Sequence, residues 1–76
     1  MKTEKFLELI TEELELDSLV ENNTNLKELE EWDSMAAMLL IGLVSNEFDK
    51  TLSAKDIGEI TTVQSLIEKI GVENFS

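Results

Sequence analysis

The chain has 76 residues, and its 17 acidic and 6 basic side chains give a formal net charge of −11, with no Cys, His, Tyr or Pro. Without Cys or His there is no disulfide, no thiol nucleophile, no imidazole base and no zinc ligand of those types. The acidity disfavours nucleic acid and anionic membrane surfaces as partners and favours basic protein surfaces. A chain this short buries only about 60% of its unfolded surface, so we expect one domain, residues 1–76, without a deep catalytic cleft.

The apolar residues predict a folded protein that does not cross a membrane. They make up 42% of the chain, which distinguishes it from a disordered acidic tail. The most apolar run, residues 35–44, is far shorter than the roughly 18 to 20 residues that a membrane span requires. The N-terminus has no basic, apolar signal segment. We therefore expect a cytoplasmic monomer.

The first predicted helix covers residues 3–15 and is amphipathic. Glutamates occupy its outer sides, and its apolar side consists of Phe6, Leu7, Ile10 and Leu14. Helical periodicity is lost over residues 16–33, where four separate leucines remain: Leu16, Leu19, Leu26 and Leu29. We expect a long loop held to the core by those leucines, and loops of this length are commonly functional.

A second helix is predicted from about Asp33 and Ser34 to about Asp49. Asp33 suits the N-cap, because its carboxylate accepts backbone hydrogen bonds and lies at the positive end of the helix dipole. One apolar arc of this helix is assigned to the core: Ala37, Leu40, Ile41, Val44 and Phe48. The second arc is Met35, Met38, Leu39 and Gly42. In so small a domain this arc predicts a surface exposed to a partner, with core filling as the alternative for the two methionines.

The last third of the chain predicts two further helices. Ser53 and Asp56 have the spacing of a capping pair that opens a short third helix. Thr61 and Gln64 have the same spacing before the last helix, which Gly71 ends. Residues 61–63 also suit a strand, but we expect that no other segment of the chain can pair with it. The predicted fold is all-α, a small four-helix bundle with a long loop between helices one and two and a short third helix.

Ser34 is the candidate reactive side chain. The carboxylates lack the spacing of an EF-hand, and the acidic run over residues 28–33 is typical of solvated charge. A hydroxyl in the first turn of a helix faces solvent beside unpaired N–H groups, where an attached phosphate is stabilised. The alternative is that Ser34 is only part of the helix cap together with Asp33.

The run Asp33-Ser34-Met35 resembles the motif on which acyl carrier proteins carry their phosphopantetheine arm. Residues 46–49 are similar to the end of that family's second helix, and residues 59–64 to the start of its last helix. Both landmarks lie at the family's distance from the serine. Length, acidity and the long first loop agree as well, so the resemblance covers nearly the whole chain.

The resemblance implies that Ser34 carries 4'-phosphopantetheine derived from coenzyme A, and that the protein is a carrier of acyl thioesters and not an enzyme. Asp33 would help a phosphopantetheinyl transferase to recognise the site. The other implied partners are acyl-loading and acyl-transfer enzymes with basic or apolar docking patches, in fatty acid, lipid or related pathways. The residues predicted to contact partners are Trp32, Met35, Met38, Leu39, Gly42 and Glu47.

The sequence also departs from the housekeeping members of that family. Where their second helix usually carries acids, this chain has Ala36, Leu39, Ser45 and Asn46. Residues 1–33 have a net charge of −8, against −3 for residues 34–76. This distribution predicts recognition through apolar contact with helix two and through acids before Ser34, as in a specialised carrier. Two alternatives stay open: a stand-alone aminoacyl or peptidyl carrier, and a non-carrier acidic helical adaptor.

Overall fold

A computed structural model describes residues 1–75. Four α-helices lie within this range: α1 (Thr3–Glu13), α2 (Ser34–Phe48), α3 (Ala54–Glu59) and α4 (Val63–Ile70). Short 3₁₀ helices cover Leu26–Glu28 and Val72–Asn74, and no strand occurs in the described range. The predicted all-α fold, with a long first connection and a short third helix, is confirmed. None of the helices in residues 1–75 is long and apolar enough to span a bilayer.

The core is built from all four helices and from the long loop. Its largest fully buried side chains include Phe6, Ile10, Leu26, Leu40, Ile60 and Leu66. The Phe6 ring meets Phe48 edge-on, with ring centroids 5.5 Å apart, and lies 5.1 Å from the Phe75 ring. No polar or charged side chain is buried in the described part of the chain, so the burial of apolar surface stabilises this interior.

The core side of α2 is rotated relative to the sequence expectation. Leu40 and Val44 are buried as predicted, together with Ala36 and Leu43, which were not assigned to the core. The other three assigned residues are only half-buried: Ala37, Ile41 and Phe48. A helix that is apolar on two sides has no sharp polar boundary, so its periodicity does not define which arc faces inward.

Helix α1 ends two residues earlier than predicted. The Glu15 amide donates to the Glu12 carbonyl at 3.1 Å, and the Leu16 amide donates to the Thr11 carbonyl at 2.9 Å. Together these bonds form a Schellman motif, in which the first residue after the C-cap takes a left-handed conformation. Glu15 takes that conformation, with φ 54°. Because glycine is the usual residue at that position, a glutamate there does not mark the end of the helix.

The loop between α1 and α2 packs on the core as predicted, except that Val20 is buried where Leu19 was expected. Leu26 is fully buried, and Leu16 and Leu29 are half-buried against the core, as predicted. The prediction is wrong for Leu19, which is 58% exposed, because the neighbouring Val20 is buried in its place.

Residues 61–64 pair with the long loop, contrary to the expectation that they have no partner. The Leu26 amide donates to the Thr61 carbonyl at 2.8 Å, and the Val63 amide donates to the Thr24 carbonyl at 3.1 Å. The pairing consists of one isolated antiparallel bridge, between Asn25 and Thr62. So short a bridge leaves no alternating pattern in the sequence.

The N-cap of α4 is Thr62 and not Thr61. The Thr62 hydroxyl accepts from the Ser65 amide at 3.2 Å, and the Ser65 hydroxyl accepts from the Thr62 amide at 3.0 Å. The predicted partner Gln64 instead accepts a hydrogen bond from the Asn22 side-chain amide at 3.0 Å. Since the Thr61 carbonyl is bonded to the loop, the helix begins one residue later.

The other predicted helix ends are confirmed. The side chains of Ser53 and Asp56 form a reciprocal capping box at α3. Gly71 follows α4 with φ 113°, a conformation that other residues rarely adopt. The Lys69 ammonium lies 3.6 Å from the Asp56 carboxylate and also bonds to Glu59, so it joins α4 to α3.

We expect Thr62→Ala to lower the free energy of unfolding by about 1 kcal/mol, because the Ser65 amide loses its capping acceptor. The matched control is Thr61→Ala, since the Thr61 side chain is exposed and makes no capping bond within residues 1–75. Urea denaturation of both variants tests the assignment. A larger loss for Thr61→Ala would place the cap at Thr61.

Acid should weaken the α3 cap. Hydrogen bonds from the Ser53 backbone and hydroxyl, with a smaller contribution from Lys69, hold the pKa of Asp56 below its ordinary value of 3.8. The Asp56 carboxylate therefore stabilises the fold at pH values above 3.8, and this contribution is lost as the pH falls through the lowered pKa. The melting temperatures of wild type and Asp56→Asn should differ at about pH 7 and converge towards about pH 2. Glu68→Gln, an equal change of charge on exposed α4 surface, should not lower the melting temperature at about pH 7.

Candidate functional site

The Asp33 carboxylate fixes the start of α2 and thereby the position of Ser34. Asp33 is extended, with φ −156°, and its Oδ1 accepts a hydrogen bond from the Ala36 amide at 2.8 Å. The Asp33 carbonyl accepts from the Ala37 amide at 3.1 Å. Ser34 is thus the first residue of α2, and its side chain is exposed. Asp33 makes the capping bond, and the Ser34 hydroxyl makes no hydrogen bond to any of residues 1–75.

The N-terminus of α2 suits a negative group attached to Ser34. The first amides of an α-helix have no acceptor within the helix, and the aligned peptide dipoles place partial positive charge there. In α2 the Asp33 side chain takes the Ala36 amide, while the Ser34 and Met35 amides precede any intrahelical acceptor. A phosphate esterified to the Ser34 hydroxyl would lie beside these N–H groups.

An apolar surface runs along α2 next to Ser34. Met35 is 69% and Met38 71% exposed, and Leu39 and Gly42 are exposed as well. We call these four residues the α2 face. At 100° per residue they lie within about 100° of one another, so they form one strip along the helix. A methyl group added at Gly42 would meet no atom within 4 Å.

Not all predicted contact residues lie on this strip. Trp32 is half-buried and packs against the core, which leaves only part of its ring accessible. Glu47 is exposed, but five residues after Gly42 it points about 140° away from it, near the far end of α2. Ala36, where the housekeeping proteins usually carry an acid, is buried against the core. The structure brings Asp33 and Ser34 together with the α2 face and leaves Glu47 apart.

A shallow cleft between the end of α1 and the start of α2 was not anticipated from the sequence. We call it the α1–α2 cleft. Its volume is about 140 Å³, and it is lined by Leu14, Glu15, Glu31, Asp33, Met35, Ala36 and Leu39. Leu14 and Glu15, the two residues that follow α1, line the cleft beside the motif, and no local signal marked the left-handed turn at Glu15.

Chemically, the site offers one exposed primary hydroxyl, a favourable place for a phosphate and an adjoining apolar surface. Within residues 1–75 no group of three or more carboxylates is placed to hold a metal ion. The arrangement therefore suits covalent attachment at Ser34 followed by recognition along α2.

Comparison with known proteins gives one match. A family model described as "Phosphopantetheine attachment site" matches residues 4–70. The matched region contains α2, α3 and α4 completely and all but the first residue of α1. No curated protein and no solved structure matches the chain.

Asp33 and Ser34 should differ sharply in their effect on stability. Asp33→Ala removes the acceptor of the Ala36 amide, and we expect it to cost about 1 kcal/mol of unfolding free energy. Ser34→Ala removes an exposed hydroxyl without a partner in the described structure, so its effect should stay within about 0.5 kcal/mol. Chemical denaturation of both variants tests this difference. A large loss for Ser34→Ala would show that the hydroxyl stabilises the fold.

Proposed function

Because the chain belongs to the family of phosphopantetheine attachment domains, we propose that it is an acyl carrier whose arm is attached to Ser34. Domains of this family are sites of covalent 4'-phosphopantetheine attachment and are generally non-catalytic carriers. The proposed carrier domain takes in residues 1–76, and we propose no catalytic activity for it. The observation that supports Ser34 is its exposed hydroxyl in the first turn of α2, directly after the capping Asp33.

The residues around Ser34 suit the attached group. When bound, the arm supplies the thiol on which acyl groups are held as thioesters, a group that this chain lacks because it has no Cys. Asp33 keeps the Ser34 hydroxyl at the end of α2 by holding the Ala36 amide. The first-turn amides favour the phosphate linked to that hydroxyl. Since Ser34 is exposed, the far end of the arm can reach the active sites of other proteins.

Partner proteins are proposed to approach along the α2 face. The first partner is the phosphopantetheinyl transferase, and the others are acyl-loading and acyl-transfer enzymes of a fatty acid, lipid or related pathway. The exposed Met35 and Met38 suit several such surfaces, because methionine side chains are flexible and polarizable. Glu47 and the accessible part of Trp32 are proposed as peripheral contacts. Monomeric state and cytoplasmic location stay predictions.

The family match favours a carrier over the non-carrier acidic adaptor, in which Ser34 would only cap α2. The structure agrees with this preference, since Asp33 makes the capping bond. An aminoacyl or peptidyl carrier would use the same serine. Nothing in the described residues favours that class of cargo.

Loading of the apo protein tests the proposal directly. Incubation with coenzyme A and a promiscuous phosphopantetheinyl transferase should add the mass of one phosphopantetheine group, read by intact-protein mass spectrometry. Ser34→Ala should gain nothing. Ser45→Ala is the matched control, because Ser45 is an exposed serine of the same helix, and it should load like wild type.

Two results would contradict the assignment. An unmodified wild type that is folded, as judged by circular dichroism, would argue against a carrier. A Ser34→Ala variant that still gains the mass would place the attachment at another serine.

A further inference from the structure

A second concave surface lies on the long loop, away from Ser34. We call it the loop groove. Its volume is about 230 Å³, and the residues that matter for its shape and charge are Leu16, Asp17, Leu19, Val20, Leu29 and Glu31. An apolar cavity of about 150 Å³ accommodates a benzene molecule, so the loop groove has room for a side chain the size of Leu or Phe.

The groove combines an apolar floor with polar and acidic edges. Val20 is buried and Leu16 and Leu29 are half-buried against the core, so they form a packed floor. Leu19 is 58% exposed beside them. An exposed leucine next to a concave apolar floor is the arrangement that a protein anchor side chain covers on binding.

Hydrogen bonds hold the groove in shape at both of its ends. The Val20 amide donates to the Thr11 hydroxyl at 3.1 Å, and that hydroxyl donates to the Leu7 carbonyl of α1 at 2.8 Å. The Glu21 amide donates to the Thr24 hydroxyl at 2.8 Å, which closes a turn on the other side. A surface that is ordered before binding loses less conformational entropy when a partner docks.

The charges around the groove select a basic occupant. Asp17 and Glu31 border it, and Glu31 also lines the α1–α2 cleft, where Glu15 and Asp33 add two further carboxylates. None of the described residues lining either concavity is a lysine. The groove and the cleft therefore share Glu31 and a negative rim, which repels nucleic acid and anionic lipid.

We propose that the loop groove is a docking site for a basic segment of a partner protein that inserts one Leu- or Phe-sized side chain beside Leu19. The acids Asp17 and Glu31 pair with Lys or Arg residues flanking that anchor. The identity of the partner as an acyl-handling enzyme rests on the proposed carrier function. Docking itself needs no attached arm, because the groove shares no residue with Ser34.

The test uses the full-length apo protein and a defined probe, an amphipathic peptide of about 15 residues made of Leu and Lys. The peptide should shift backbone amide NMR signals of residues 16–20 and 29–31. The affinity is read from the fluorescence of Trp32, which is the only tryptophan and directly follows Glu31 in the sequence.

Two pairs of variants separate groove docking from general attraction. Leu19→Ser should weaken binding about tenfold, whereas Val72→Ser, at a similarly exposed residue outside the groove, should leave it unchanged. Glu31→Lys should weaken binding several times more than Glu8→Lys, which makes the same charge reversal at an exposed site on α1. All four positions lie outside the fully buried core, so the variants should fold.

Shifts centred on the α2 face or spread over the acids of α1 would overturn the proposal. Equal affinities for Leu19→Ser and Val72→Ser would do the same. These failures are separate from a failure of the carrier function, because phosphopantetheine loading at Ser34 does not involve the peptide. Docking without loading would support the groove proposal and contradict the carrier function. Loading without docking would support the carrier function and contradict the groove proposal.

Discussion

The hydrogen bond from the Ala36 amide to the Asp33 carboxylate determines how the rest of the surface is used. It fixes the residue at which α2 begins, and each residue of a helix is turned by about 100° from the one before it. If α2 began one residue later, Ser34 would be the N-cap, and its hydroxyl would take the capping position that Asp33 holds now. Because this carboxylate makes the capping bond, the Ser34 hydroxyl makes no hydrogen bond to any of residues 1–75. One capping bond thus separates the residue that stabilises the helix from Ser34, the residue that we propose is modified.

The loop of 20 residues between α1 and α2 is ordered by contacts with distant parts of the chain. It is held to α1 by the Thr11 hydroxyl and to the junction of α3 and α4 by the bridge between Asn25 and Thr62. A 3₁₀ helix, Leu26–Glu28, directly follows the second attachment and buries Leu26. The acids of this loop are therefore displayed on an ordered surface that leads up to Ser34, the proposed attachment site. Charge density and position together make this surface specific, since charge alone attracts any basic protein.

The features that the sequence predicted correctly depend on residues that are close together in the chain. The caps at Asp33 and Ser53, the stop at Gly71 and the exposed methionines of α2 each follow from residues a few positions apart. The errors arose where distant segments decide the outcome. The loop pairing moved the α4 cap from Thr61 to Thr62, and the Thr11 hydroxyl fixed Val20 where Leu19 was expected. At the site, Asp33 and Ser34 were predictable from their motif, whereas the α1–α2 cleft beside them is lined in part by Glu15, whose left-handed turn no glycine marks.

The bridge between the long loop and residues 61–64 bears on the order in which the protein acquires its surfaces. Helix α2 closes its hydrogen bonds between residues four apart, so it can form early. The Leu26 amide, in contrast, reaches its acceptor only when Thr61 is present and in place. Closing so long a segment costs chain entropy before the contact is gained, and it delays that contact. During synthesis the serine-bearing helix is therefore available for folding well before the acidic loop beside it is fixed.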